Sequence, residues 1–164
     1  MRPAYRVRQF SAHLRARVAP AERAVAHALL PTTATPLFDA MPVADQRHAL
    51  DVVGRLREAG VDDADLLAAA LLHDAAKSVR LRLWHRVVVV LLEAAAPSGL
   101  ERLASSNPGS WRFPFHLHLH HAQLSARAAL DAGCSARVAA FITGTSDPPD
   151  AQLEAALRAA DAAS

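Results

Sequence analysis

Leu66-Leu67-Ala68-Ala69-Ala70-Leu71-Leu72-His73-Asp74-Ala75-Ala76-Lys77 is the stretch on which the reading of this chain turns. Seven apolar residues, nearly all strong helix formers, run directly into two ionisable ones. Asp62 or Asp63 stands just before them as an N-cap. A helix from about Ala64 to Ser78 is therefore expected, with Leu67, Ala70, Leu71, Asp74 and Ser78 along one stripe, because residues three and four apart share a face. A histidine and an aspartate within such a helix are costly to bury unless paired, hydrogen-bonded or bound to a metal. The dipeptide alone carries little weight, since nine histidines and eleven aspartates in 164 residues give on the order of 0.6 such pairs by chance. Its partners must come from elsewhere in the chain.

On the N-terminal side, His48 ends the segment Asp45-Gln46-Arg47-His48, in a helix opened by Pro42 and Asp45 and closed by Gly60. The glycine turn folds this helix back antiparallel to the next, so that His48 can face His73. On the C-terminal side, Asp161 follows Leu153, Ala156, Leu157 and Ala160, which give the last helix, Ala151 to Ala163, an apolar docking face. His48, His73, Asp74 and Asp161 thus offer two imidazoles and two carboxylates from three helices. That donor set suits one divalent ion, Mn²⁺, Fe²⁺, Co²⁺, Ni²⁺ or Zn²⁺, more than Mg²⁺, and it can assemble only in the folded chain.

The rest of the chain is equally helical. Ala, Leu and Arg dominate, and no segment alternates apolar and polar residues as a half-buried strand does. The expected fold is an all-α single-domain helical bundle of about six or seven helices. Residues 1–40 form an N-terminal helical extension and residues 41–164 the metal-binding core. Pro20, Pro31 and Pro36 divide the extension. A helix from about Leu81 to Ala96 is expected to end at Pro97 to Gly99, and Asn107-Pro108-Gly109 to form a turn. Further helices are read from about Pro114 to Ala132, ending at Gly133, and from Ser135 to Thr143, with Asp147-Pro148-Pro149-Asp150 capping the last.

Composition bounds the function. With 52% hydrophobic and 21% charged residues the chain is globular in type. Lys and Arg exceed Asp and Glu by only 18 to 16, so no concentrated basic field exists and a nucleic-acid partner is not expected. The arginines Arg2, Arg6, Arg8, Arg15 and Arg17 read as a solvated helix face. Cys134 is the single cysteine, which excludes an intrachain disulfide and fits a reducing, cytoplasmic location. Met1 to Phe10 lacks the features of a secretory signal. The apolar run Val87 to Leu92 falls far short of the roughly 20 residues that span a bilayer, so no membrane partner is expected.

The order His48, His73-Asp74, Asp161, with the setting "AALLHD..K" and the late aspartate, resembles the H…HD…D signature of the HD domain superfamily over about residues 40 to 164. The resemblance implies a helical fold, a bound divalent metal and a metal-dependent phosphohydrolase that acts on a phosphate ester, a nucleotide among the candidates. The expected partner is then a small phosphorylated substrate. Asp74, Lys77 and His121 are the expected catalytic residues. Similar family members carry a lysine at the position of Lys77 to hold a substrate phosphate, and Lys77 shares a helix face with His73 and Asp74. The alternative is a non-catalytic regulatory module of HD fold that binds a metal or ligand.

The second unusual stretch is His116-Leu117-His118-Leu119-His120-His121. His116 and His120, spaced i and i+4, could chelate a metal from one helix face, although this pair is not the favoured reading. Family members with two metals use a helix beginning like His121-Ala122-Gln123-Leu124-Ser125-Ala126, followed by a later His-His pair. Here Ile142-Thr143-Gly144-Thr145-Ser146-Asp147 stands in that place, so one metal is expected rather than two. His121 is then a donor toward water or phosphate, or else an ordinary core or surface histidine. Asp147, before two prolines, reads as a turn or cap residue. His13, His27 and His85 read as structural, and Trp84, Trp111, Phe113 and Phe115 as core aromatics rather than a base-stacking platform.

Overall fold

Runs of helix formers, interrupted by proline, glycine and capping residues, produce eight α-helices and no strand among the described residues. The computed structural model describes residues 16–76, 85, 88, 89, 92 and 97–164, with 97 and 98 described by their backbone alone. The helices are α1 (Pro20–Ala28), α2 (Thr35–Asp39), α3 (Val43–Glu58), α4 (Ala64–Leu72), α5 (Pro97–Leu103), α6 (Phe113–Asp131), α7 (Ala136–Thr143) and α8 (Ala151–Ala163). A 3-10 turn, Pro148–Asp150, leads into α8. The all-α class is as expected, and no helix among the described residues is long and apolar enough to cross a membrane.

α4 is the hub. Every side chain from Leu66 to Leu72 is buried, and Leu66, Leu67, Leu71 and Leu72 are at most 1% exposed. Each such leucine contributes roughly 1.5–3 kcal/mol of burial, so this short helix dominates the core. α2, α3, α6, α7 and α8 all pack against it. Residues 26–38 contribute Ala26, Leu30, Ala34 and Phe38 to the same core. A smaller cluster of Val89, Leu100 and Phe115 lies beneath α5 and the start of α6.

Local chemistry sets the helix ends. Asp63 caps α4, its carboxylate accepting from the Leu66 N–H at 3.0 Å. Ser135 caps α7 in the same way through the Val138 N–H at 3.1 Å. Gly60 closes α3 at φ 78°, a left-handed conformation in which the Val61 N–H reaches the Leu56 carbonyl at 2.9 Å.

Two boundaries differ from expectation. Pro97 to Gly99, read as the end of a helix, are themselves helical within α5, and the residues just before them lie outside the described ones. α4 stops at Leu72, not at about Ser78. The Ala75 N–H turns back to the Leu72 carbonyl at 3.0 Å, and the Ala76 N–H bonds to the Ser125 hydroxyl on α6 at 3.0 Å. A side chain from another helix thus takes over where the ladder would continue. His73 and Asp74 sit in the exit turn of α4, not within it. Most of the helix expected over Leu81 to Ala96 lies outside the described residues, as do His13, Trp84 and the arginines Arg2, Arg6, Arg8 and Arg15; His85, Val88, Val89 and Leu92 are helical.

Candidate metal centre

His48 is fixed by the start of α3. Gln46, buried, donates to the Met41 carbonyl at 2.8 Å and the Asp39 carbonyl at 3.3 Å, tying the first turn of the helix to the preceding loop. Arg47 points elsewhere, to Glu22 and Asp51. The antiparallel return through Gly60 then brings the rings of His48 and His73 to 5.4 Å between centres, tilted by 60°.

α8 completes the group. Asp161 Oδ1 lies 2.9 Å from His48 Nε2 and 3.5 Å from His73 Nε2, so one carboxylate oxygen serves two imidazoles. Asp74 Oδ2 is 3.9 Å from His73 Nε2, and Asp74 Oδ1 is 3.6 Å from His121 Nε2. One donor atom each from His48, His73 and Asp74 lies within 4.8 Å of the others. Two donors at about 2.0–2.2 Å from a shared ion stand about 3 to 4.3 Å apart, and the separations here are of that size.

The ring orientations also fit. His73 Nδ1 donates to the Ala70 carbonyl at 2.9 Å, and His121 Nδ1 to the His118 carbonyl at 2.6 Å. A carbonyl can only accept, so each Nδ1 bears a hydrogen and each ring presents its Nε2 to the carboxylates. His48, His73 and Asp74, with the His73 ring held by the backbone at its far side, could hold a metal ion.

Burial grades the site from floor to rim. The side chains of His73 and Asp74 are 14% and 11% exposed, whereas Asp161 is 48% exposed, so the group opens beside α8. Burial pulls the His73 imidazolium down, but the Asp161 hydrogen bond and the Asp74 charge outweigh it and raise the ring above its ordinary value. The hydrogen bond from His48, followed by that from His73, holds the Asp161 carboxyl far below the usual range.

Among the residues expected from sequence, His48, His73, Asp74, Asp161 and His121 come together, and Lys77 lies outside the described residues. His116 and His120 point to a different part of α6. Asp147 precedes the 3-10 turn, where its carbonyl accepts from the Asp150 N–H at 2.9 Å, in keeping with a turn role. His27, read as structural, meets Asp39 at 3.1 Å. Phe115 is core, but Trp111 is 62% exposed rather than buried. Burial, then the Asp65 charge, pushes the Cys134 thiol up, which leaves it unreactive.

Ser125 was not singled out from sequence. It is fully buried, one turn beyond His121 on α6, and its hydroxyl receives the Ala76 N–H. His121 and Ser125 therefore address the 73–76 turn from one helix face, and a polar pair at i and i+4 within an apolar stripe was the available signal. Comparison with family models, curated proteins and solved structures finds no match to this chain.

Proposed function

We propose that the chain is a metal-dependent phosphohydrolase that cleaves a small phosphate ester, with nucleotides among the candidate substrates. The observation that carries this reading is the convergence of His48, His73 and Asp74, from α3 and the exit turn of α4, with Asp161 on α8 beside both imidazoles at a partly open rim. Those four residues would hold the ion, in keeping with the HD resemblance. A divalent ion bound there supplies Lewis acidity toward a phosphoryl oxygen and acidifies a water at neutral pH. His121 contributes a proton-exchanging Nε2 beside Asp74, with its Nδ1 held by the His118 carbonyl. The buried His73-Asp74 floor excludes bulk water from one side, while the open rim at Asp161 admits substrate. Lys77 is assigned the substrate phosphate on the sequence reading alone.

Protein purified without chelator and without a histidine tag should carry near-stoichiometric transition metal and hydrolyse members of a phosphomonoester and phosphodiester panel supplemented with Mn²⁺, Co²⁺ or Ni²⁺. His73→Ala should lose both properties. Unchanged metal content and turnover in that variant would sink the reading. Metal retained with no turnover across the panel would favour the regulatory module instead.

A further inference from the structure

The histidine run leaves two rings that the candidate centre does not use. His116 and His120 stand about one helical turn apart on α6, their ring centres 4.4 Å apart and tilted by 47°. His120 is exposed and His116 partly so. Phe113 stacks against His116 at 5.9 Å, which limits the freedom of that ring. α6 bends at His120 (φ −116°, ψ 15°), where the His121 imidazole takes the His118 carbonyl and enters the backbone ladder. Among the described residues no hydrogen bond or ion pair joins either His116 or His120.

An exposed pair of imidazoles this close is a chelating pair. Two nitrogens on one ion at about 2.0–2.1 Å are about 3 to 4 Å apart, a span that rings 4.4 Å between centres can supply. The absence of a carboxylate from the pair selects against Mg²⁺ and Ca²⁺, which require oxygen ligands. Imidazole suits Cu²⁺, Ni²⁺ and Zn²⁺, with Cu²⁺ held most strongly.

We propose that His116 and His120 form a second divalent-cation site, a two-imidazole chelate for Cu²⁺, Ni²⁺ or Zn²⁺, separate from the His48, His73, Asp74 and Asp161 centre. Water fills the remaining coordination positions, so ions exchange readily. The site does not depend on the chain being a phosphohydrolase.

The test uses the full, tag-free chain stripped with chelator and titrated with Cu²⁺ or Zn²⁺ by calorimetry. Wild type should bind in two classes, a tighter and a weaker one. The surface substitutions His116→Gln and His120→Gln together should abolish the weaker class while the melting temperature of the stripped protein stays the same. His73→Ala should do the reverse, losing the tighter class and keeping the weaker. In His73→Ala loaded with Cu²⁺, electron paramagnetic resonance should report two imidazole nitrogens, reduced when His116→Gln is added. Cu²⁺ and Zn²⁺ binding that the double substitution leaves unchanged overturns the proposal.

Discussion

His48 and Asp161 are 113 positions apart in sequence and 2.9 Å apart in space, joined by a hydrogen bond that links α3 to α8. The same carboxylate oxygen faces His73, so Asp161 is the member of the group that both imidazoles share. Because Asp161 is 48% exposed, solvent screens its ion pairs and their contribution to stability is about 0.2–1 kcal/mol. Asp161→Asn should therefore lower the urea midpoint only slightly. It should weaken uptake of Mn²⁺ or Ni²⁺ by more than the roughly 10- to 100-fold that loss of an outer hydrogen-bond partner costs. Elemental analysis beside a denaturation curve separates the two effects, and a large stability loss with normal metal content would contradict the assignment.

Ser125 is predicted to matter more for stability than for its small size. Its hydroxyl, on a buried residue, satisfies the Ala76 N–H in a part-buried bond, and Ser125→Ala leaves that donor without its partner. The expected cost is about 1–3 kcal/mol. Since that bond ends α4 and sets the 73–76 turn, metal affinity should also fall, although Ser125 touches no proposed ligand. Chemical denaturation at fixed metal load tests the first effect, and calorimetric titration the second.

The contrast between those two residues explains what could be read from the chain. Periodicity, caps and the Gly60 turn made the α3–α4 pair and the apolar face of α8 legible, and with them the meeting of His48, His73 and Asp161. The end of α4 was not legible. Leu66 to Leu72 and Ala75 to Ala76 are helix-forming, and the turn at His73 and Asp74 is held by a hydroxyl from a helix nearly fifty positions away, a tertiary contact that local propensity cannot encode.

Acid should destabilise the protein through carboxylates distant from the candidate centre. Hydrogen bonds from Arg137 hold Asp150 below its ordinary 3.8, and the Ala19 N–H, followed by Arg47, holds Glu22 below its ordinary 4.5. A carboxyl with a depressed folded value favours the native state above its unfolded value, and that contribution disappears as pH falls through the folded one. Stability should accordingly decline between about pH 5 and pH 2, where the unfolded chain binds more protons. Arg137 also pairs with Asp63 at 2.8 Å, so Arg137→Met should lower stability at neutral pH and flatten the acid decline. Urea midpoints of both proteins across this range provide the check, and parallel curves would exclude the Arg137–Asp150 contact as a source of acid sensitivity.

An ion held between α3, the exit turn of α4 and α8 would tie three elements that only the folded chain brings together, so its binding energy becomes folding energy. At a free ion concentration one hundred times its dissociation constant, the gain is about 2.7 kcal/mol. For a chain of this length that raises the melting temperature by roughly 5–11 °C. Removing metal with chelator should lower the melting temperature by about that amount, and restoring Mn²⁺ or Ni²⁺ should recover it. His73→Ala should lose most of that shift, because the buried imidazole that completes the floor of the site is gone. The His116→Gln, His120→Gln protein should keep most of the shift, since both positions lie on α6 and an ion there spans no second helix.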